Sequence, residues 1–187
     1  MKRLVFHGMC LALIAAPVSG HAQESPTDAG VYSLSGSIGY VESLDHDNFD
    51  RELTFAPNVM YFVAHDLALG VSVLYRHLSS DSFDEDSYGV GPSTRWYLRS
   101  DGIKPFVSGA FRYGKIDSDF NDGTNGSDTK YWEGDVQLGL DFFLARNVAI
   151  EPTIGYAYRD FEDDGIKVIN RDSNSLEFHI GINVFIF

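Results

Sequence analysis

The sequence predicts an all-β fold, an eight-stranded antiparallel up-and-down transmembrane β-barrel. From Val31 onward, apolar and polar residues alternate with a period of two, which is typical of strands that have one apolar face. Eight such segments follow one another, each about as long as a tilted strand that crosses a bilayer. The connections between them are alternately long and short. No window of comparable length has the periodicity of an amphipathic helix.

The first 22 residues have the three regions of a signal peptide. Lys2 and Arg3 are basic, residues 4–18 are mainly apolar, and residues 19–22 include the small residues that signal peptidase requires. We therefore expect cleavage after Ala22, which divides the chain into a signal peptide (1–22) and one barrel domain (23–187). The run is too short to span a bilayer as a helix. The alternative to a signal peptide is that the run forms a buried strand or helix of the folded protein.

Composition restricts the class of protein further. The single cysteine, Cys10, lies in the predicted signal peptide, so the mature chain must be stabilised by a large core, a closed sheet or a bilayer instead of disulfides. The net charge is −13, and the loss of Lys2 and Arg3 makes it more negative. Nucleic acid is excluded as a partner, because binding it depends on basic residues that neutralise phosphates.

The first four strands each place large apolar residues on one face, and the first, third and fourth carry mainly glycine, serine and alanine on the other. In chain order, the apolar faces carry Tyr32, Leu34, Ile38 and Tyr40; Leu53, Phe55, Pro57, Val59, Tyr61 and Val63; Leu67, Leu69, Val71, Val73 and Tyr75; and Tyr88, Val90, Pro92, Trp96 and Leu98. Pro57, Pro92 and, in the seventh strand, Pro152 each remove a backbone donor, so we expect local bulges there.

The fifth strand is expected to be shorter and its pattern weaker, whereas the last three alternate most clearly. Their apolar faces carry Val107, Phe111 and Tyr113; Trp132, Val136, Leu138, Leu140 and Phe142; Val148, Ile150, Pro152, Ile154, Tyr156 and Tyr158; and Leu176, Phe178, Ile180, Ile182, Val184 and Ile186. The long connections are acidic and cover 43–51, 78–86, 115–128 and 160–174, while tight turns are expected near 65–66, 100–102 and 145–147. Long loops at one end and short turns at the other are typical of membrane barrels.

A soluble barrel, such as a lipocalin, has the same alternation with the apolar face turned inward. Eight strands enclose an interior barely wide enough for side chains, so the bulky residues fit only on the outside. Rings also flank the aliphatic residues of several strands, as Trp132 and Phe142 do, which is typical of the aromatic girdles at membrane interfaces. These observations favour a barrel whose large side chains face lipid.

Residues 55–70, 88–92, 95–97 and 104–107 resemble hairpins of the OmpX/OmpA-like outer-membrane β-barrel family, often labelled "porin family". The resemblance covers nearly all of the mature chain and implies a bacterial outer-membrane location, with export through the periplasm. It does not imply an activity, since the family includes structural and adhesive members.

Phe187 resembles the family's signal for the barrel-assembly machinery, but its parity is that of an inward residue. Either a bulge near the end turns it outward or the signal is atypical.

Charged and aromatic residues follow separate patterns on the predicted inward face. An isolated buried ion costs several kcal/mol, so we expect the charged residues to form ion pairs across the lumen. These residues are Arg76, Arg95, Arg112, Glu133, Asp135, Asp141, Glu151, Arg159 and Glu177. At the periplasmic end, we expect an apolar plug formed by Phe62, Tyr97, Phe106, Phe143 and Phe185. Alternatively, local irregularity turns some of these rings toward lipid.

No pattern in the sequence predicts a catalytic, cofactor-binding or metal site. Residues 77–79 (His-Leu-Ser) with Glu85 resemble the His-x-Ser pair of lipid A 3-O-deacylase barrels, but the residues that surround that motif are absent. Residues 117–123 resemble a calcium loop, but the glycine comes one residue late and no bidentate glutamate follows, which favours a solvated turn. His179 is expected to be structural.

The sequence thus favours a non-enzymatic outer-membrane barrel that has a packed, closed lumen and a structural or surface-interaction role. The expected partners are outer-membrane lipids, lipopolysaccharide and, during biogenesis, the barrel-assembly machinery, and we expect a monomer. The alternatives are a narrow channel for small solutes and a lipid A-modifying enzyme. The acidic loops serve solubility or, alternatively, bind divalent cations that bridge to lipopolysaccharide phosphates.

Overall fold

The computed structural model describes residues 25–42, 51–79, 83–98, 102–120, 128–162 and 173–187. The eight strands are β1 (Tyr32–Glu42), β2 (Arg51–Ala64), β3 (Leu67–Ser79), β4 (Phe83–Tyr97), β5 (Lys104–Phe120), β6 (Asp128–Ala145), β7 (Val148–Glu162) and β8 (Ser173–Ile186). Each strand pairs in antiparallel fashion with the next, and β8 pairs with β1, so the sheet closes into a barrel. The predicted fold class is confirmed. Among the described residues, no helix has the length and apolar character needed to cross a membrane.

Turns at residues 65–66 and 146–147 lie at one end of the barrel, which we call the turn end; the opposite end is the loop end. Several strands extend further toward the loop end than the alternation indicated. The expectation of a short fifth strand is wrong, because β5 has 17 residues and stays paired with β4 as far as Phe83↔Phe120. Toward the loop end, charged and polar residues replace the apolar ones, so the alternation of apolar and polar residues is lost there although the backbone ladder continues.

The three strand prolines do not produce bulges. Each pairs regularly with one neighbouring strand, as Pro92 does with Val71. On its other side, the proline and one adjacent residue have no assigned partner, yet the register is the same before and after the gap. The expected bulges are therefore corrected to short interruptions of one ladder, which is what a missing N–H donor causes. The register shifts of the described strands lie beside the turns instead.

Side-chain exposure alternates along the strands in the predicted sense. On β3, for example, Ala68 and Ser72 are buried in the interior, whereas Leu69 and Val71 are about half exposed on the outside. The other strands also carry exposed large apolar side chains, such as Trp96, Val136 and Ile180. Because an exterior of this kind is unfavourable in water and favourable in hydrocarbon, the barrel presents a lipid-facing surface.

Residues 25–31 form a short segment, the mouth segment, that packs on the turn end before β1 begins. The Gly30 amide donates to the Phe62 carbonyl (2.9 Å), and the Asp66 amide donates to the Thr27 carbonyl (2.8 Å). Thr27 and Val31 are buried. Asp66 has a φ of +63°, a left-handed conformation that aspartate tolerates better than most residues, and this conformation forms the tight turn after β2.

Candidate functional site in the barrel interior

The interior nearest the loop end contains a network of arginines and carboxylates, which we call the outer ion cluster. Its charged members are Glu52, Arg76, Arg112, Glu133, Asp135, Arg159 and Glu177. They come from strands β2, β3, β5, β6, β7 and β8 and converge because each lies on an inward position of its strand. The cluster spans the lumen and connects strands that are not neighbours in the sheet.

Glu133 is the centre of the outer ion cluster and is only 2% exposed. Arg112 Nη1 donates to Glu133 Oε1 (2.9 Å) and to Asp135 Oδ2 (2.5 Å). Arg159 Nε donates to Glu133 Oε2 (2.9 Å). A third guanidinium, that of Arg76, lies 3.8 Å from the same carboxylate. Three positive charges around one carboxylate reduce the cost of removing it from water.

Arg76 connects Glu133 to the acidic residues of two other strands. Its Nε lies 3.0 Å from Glu52 Oε1, and its Nη2 donates to Glu177 Oε1 (3.3 Å). The other carboxylate oxygen of Glu177 lies 3.0 Å from His179 Nε2. Arg159 and Glu177 lie on the neighbouring strands β7 and β8, but Arg159 bonds to Glu133 and Glu177 bonds to Arg76.

A second polar network, the inner ion cluster, lies closer to the turn end. Its members are Ser33, Arg95, Tyr97, Asp141, Glu151 and Asn183. Arg95 donates two hydrogen bonds to Glu151, from Nη1 to Oε2 (2.5 Å) and from Nη2 to Oε1 (2.9 Å). This bidentate geometry is the strongest arrangement of a guanidinium and a carboxylate. All six residues are buried.

Asp141 accepts hydrogen bonds from neutral groups. The Tyr97 hydroxyl donates to Asp141 Oδ2 (2.7 Å), and Asn183 Nδ2 donates to the same oxygen (3.3 Å). The amide oxygen of Asn183 accepts from the Ser33 hydroxyl (2.6 Å). The inner ion cluster therefore joins β1, β4, β6, β7 and β8 across the lumen.

Between the two clusters lies a cavity of about 40 Å³. Its lining is polar and includes Ser72, Ser108, Gln137 and Thr153 together with Arg95 of the inner cluster and Arg112 of the outer one. A water needs roughly 10–15 Å³ of such space, so the cavity has room for a few waters. It is too small for an organic solute.

At the turn end, the five predicted plug residues meet in one ring cluster: Phe62, Tyr97, Phe106, Phe143 and Phe185. The ring centroids of neighbouring members lie 5.5–6.3 Å apart. Four of the rings are essentially inaccessible, and Phe143 is partly buried against them. Val31 of the mouth segment and Met60 complete the packing. Tyr97 belongs to both the ring cluster and the inner ion cluster, since its ring packs on one and its hydroxyl bonds to the other.

Polar contacts attach the mouth segment to the barrel. The Thr27 hydroxyl donates to Asp66 Oδ1 (2.6 Å), and Lys104 Nζ donates to Thr27 Oγ1 (3.2 Å). Asp28 Oδ1 lies 2.7 Å from His65 Nδ1. Burial works to raise the pKa of Asp28, but hydrogen bonds from the Ser25 amide and His65 outweigh it, so the pKa is lowered. These contacts hold the segment against the turn end.

The residues of the possible catalytic motif contact acidic residues across the β3–β4 pair. His77 Nδ1 lies 2.9 Å from Asp86 Oδ1, and the Ser79 hydroxyl donates to Asp84 Oδ1 (2.8 Å). Residues 121–123 of the possible calcium loop lie outside the described residues, as does the predicted signal peptide. Within the described ranges, no group of three or more His, Cys, Asp or Glu side chains is arranged to hold a metal ion.

Phe187 lies beyond the end of β8 and is 40% exposed, with the Arg146 guanidinium 5.1 Å from its ring centroid. The register between β1 and β8 is continuous from Ile38↔Ile180 to Tyr32↔Ile186, so no bulge turns this residue outward. Its exposure follows from its place after the last paired residue.

The outer membrane protein beta-barrel domain family matches residues 8–183 of this sequence. The chain belongs to this family. The resemblance to OmpX/OmpA-like outer-membrane barrels is thereby confirmed. No curated protein matches the chain.

Solved structures of other outer-membrane barrels share the fold. The N-terminal β-barrel domain of Pseudomonas aeruginosa OprF is 12% identical, with a TM-score of 0.56 over 85% of this chain and 98% of that one. Neisserial surface protein A is 18% identical, with a TM-score of 0.55 over 82% and 94%. Ail of Yersinia pestis is 14% identical, with a TM-score of 0.51 over 84% and 99%. At these identities the similarity concerns the fold alone.

The predicted set of interior residues did not include several side chains that contribute to the interior. Glu52, Ser72 and Asn183 lie on inward positions, so parity could have identified them as candidates. Tyr131 is also inward and fully buried, and its ring lies 5.4 Å from the Arg159 guanidinium. Gly89 and Gly114 leave the space that this ring occupies, since a Cβ at either position would approach it within 2.7 Å. Only the register of the closed barrel brings these three residues together.

Proposed function

We propose that this outer-membrane barrel has a closed lumen and a non-enzymatic, structural role, with surface interactions carried by its loop end. The observation that carries the proposal is the succession of layers along the lumen. From the loop end to the turn end these are the outer ion cluster, the small polar cavity, the inner ion cluster, the ring cluster and the mouth segment. A solute would have to displace every one of them.

Energetics support a lumen that stays closed. Breaking a buried ion pair by removing one partner costs about 3–5 kcal/mol, and each cluster contains at least one bidentate or shared guanidinium. The ring cluster adds apolar packing, because its neighbouring aromatic rings lie within contact distance of one another. Opening a path therefore requires the simultaneous loss of several favourable interactions.

Planar-bilayer recordings test the closed lumen. We expect the reconstituted wild-type protein to give no steady conductance. A double variant, Phe62→Ala with Arg95→Ala, removes part of the ring cluster and of the inner ion cluster and serves as the matched positive control for a leak. Steady, large conductance of the wild type would overturn the proposal in favour of a narrow channel for small solutes.

We further propose that residues 1–22 are removed during export and that the barrel-assembly machinery inserts residues 23–187 as a monomer. Family membership and the lipid-facing exterior support an outer-membrane location. Mass spectrometry of the protein from purified outer membranes tests the cleavage, with Gln23 as the expected first residue. An N-terminus that retains Lys2 would contradict it.

Lipopolysaccharide is the proposed partner of the loop end. Acidic residues of the described strands, including Asp84, Asp86 and Asp117, lie there. Divalent cations would bridge these carboxylates to lipid phosphates.

We expect chelation of Mg²⁺ and Ca²⁺ to weaken co-purification of lipopolysaccharide with the wild type. Unchanged co-purification would exclude the bridge, and altered lipid A acylation after deletion of the protein would favour an enzyme instead.

A further inference from the structure

The inner ion cluster contains one more carboxylate than cation. Arg95 is its only arginine among the described residues, and both terminal nitrogens of its guanidinium donate to Glu151. The second carboxylate, Asp141, accepts hydrogen bonds from the neutral side chains of Tyr97 and Asn183. Counted as fully ionised, the cluster would carry a net negative charge inside the barrel wall.

Lys104 does not supply the missing positive charge. It is opposite Asp141 in the register between β5 and β6. Its ammonium group, however, is 3.2 Å from Thr27 Oγ1 and 3.8 Å from Asp66 Oδ1 in the mouth region. The side chains that face Asp141 are therefore Arg95 and Tyr97 from β4, Glu151 from β7, and Asn183 from β8.

The two oxygens of Asp141 have different surroundings. Oδ2 accepts both hydrogen bonds, whereas Oδ1 has no hydrogen-bond donor among the described residues. Asp141 is inaccessible to solvent, and the register between β6 and β7, which is the same from Gly139↔Thr153 to Phe142↔Ile150, places it opposite Glu151, so the two inward side chains are cross-strand neighbours in contact. Two carboxylates in such contact repel each other unless a proton lies between them.

We propose that Asp141 and Glu151 form a proton-binding site, in which Asp141 Oδ1 holds the proton and donates it in a hydrogen bond to Glu151. The proton gives Oδ1 a hydrogen-bonding role and makes the inner ion cluster neutral. Glu151 remains the carboxylate that balances Arg95.

A proton fits this site better than a metal ion does. Ions such as Ca²⁺ need six to eight oxygen ligands, whereas the contact involves two carboxyl groups that are already partly bonded to other residues. The cavity between the clusters is lined by Arg95 and Glu151 but not by Asp141. Water in the cavity can reach Glu151, which gives the proton a route to and from the buried pair.

Infrared spectroscopy of the protein folded in lipid vesicles tests the site. We expect the wild type at neutral pH to show the C=O stretching band of a neutral carboxylic acid. The band should be lost in Asp141→Asn and kept in Asp135→Asn, the matched control, because Asp135 is a buried aspartate paired with Arg112. Absence of the band from the wild type, or its persistence in Asp141→Asn, would overturn the proposal.

A second variant distinguishes a shared proton from a simply buried acid. In Glu151→Gln, Asp141 becomes the only carboxylate near Arg95, so we expect it to ionise and the band to disappear. Persistence of the band in this variant would contradict proton sharing.

The stability of the wild type gives an independent measurement, because the folded protein would bind one more proton than the unfolded chain. The Asp141 contribution to stability should therefore be lost as the pH rises from the ordinary aspartate range, about 4, to the pH at which the folded protein releases the proton, and this loss should be absent in Asp141→Asn.

Discussion

At the scale of single residues, one guanidinium can determine whether several carboxylates are tolerated in the lumen. Arg112 is 6% exposed and contacts Glu133, Asp135 and the Ser72 hydroxyl. Parity along the strands predicted that Arg112 points inward. The particular partners depend on the position of β6 beside β5, so they required the structure.

The substitution Arg112→Ala should lower the free energy of unfolding by about 3–5 kcal/mol, because it leaves buried carboxylates without their partner. Urea unfolding in lipid vesicles, followed by tryptophan fluorescence, measures the change. Lys115→Ala is the control on the same strand, since Lys115 pairs with Asp117 where both side chains are nearly half exposed. The control should change stability by less than about 1 kcal/mol. Equal effects of the two substitutions would refute this role of Arg112.

Glycine at position 139 leaves room for one ring of the ring cluster. A Cβ added there would lie 2.2 Å from Phe106 Cζ, closer than two carbon atoms can approach. We expect Gly139→Ala to destabilise the barrel by about 1–3 kcal/mol in the same unfolding measurement. Gly134→Ala on the same strand is the control, because nothing lies within 4 Å of its added Cβ. A neutral Gly139→Ala would show that the ring can move away at little cost.

At the scale of elements, alternation located all eight strands but not their ends. Side chains such as Asp84 and Lys115 were assigned to loops because charge replaces alternation near the rim. In the structure both residues belong to strands, since the ladder is formed by the backbone and continues beyond the lipid-facing part. The mouth segment had no periodic signal at all, because irregular backbone is held by individual contacts and not by a repeating pattern.

The contacts of the mouth segment should depend on pH through Asp28. Its pKa is lowered in the folded protein, so its contribution to stability is present above the ordinary value of 3.8 and is lost as the pH falls through the folded value. Hydrogen exchange of the Gly30 and Asp66 amides, corrected for the intrinsic effect of pH, should show protection decreasing in acid. Asp28→Asn should have the lower protection at neutral pH, while Asp86→Asn, at the loop end, should behave as the wild type. Acid-insensitive protection in the wild type would contradict this role of Asp28.

At the scale of the whole molecule, the barrel is stable only if its exterior meets hydrocarbon. Leu138 lies near the middle of β6, between Trp132 and Phe142, and is 57% exposed. Leu144 is 68% exposed but lies beyond Phe142, near the turn end. The two positions have the same residue type and face but differ in their expected depth in the bilayer.

Substitution of each leucine by arginine should reveal the difference in depth between the two positions. We expect Leu138→Arg to cost about 2–4 kcal/mol and Leu144→Arg about 0–1 kcal/mol, because the cost of a charge on the lipid face falls toward the interfaces. Unfolding in lipid vesicles measures both values. Equal costs would place the membrane elsewhere on the barrel, and a folded monomer in detergent-free buffer would remove the basis for a membrane assignment altogether.

The sequence by itself determined the strand number, the antiparallel order and the face of each strand that meets lipid. These properties follow from a period-two pattern, because the polarity of each residue in a strand is separate evidence for the face on which that residue lies. Tertiary structure alone decided that Arg159 bonds to Glu133, that Tyr97 joins the rings to Asp141, and that residues 25–31 pack on the turn end. Such contacts depend on how far each strand is displaced along its neighbours in a closed sheet, and that displacement has no local signal in the chain.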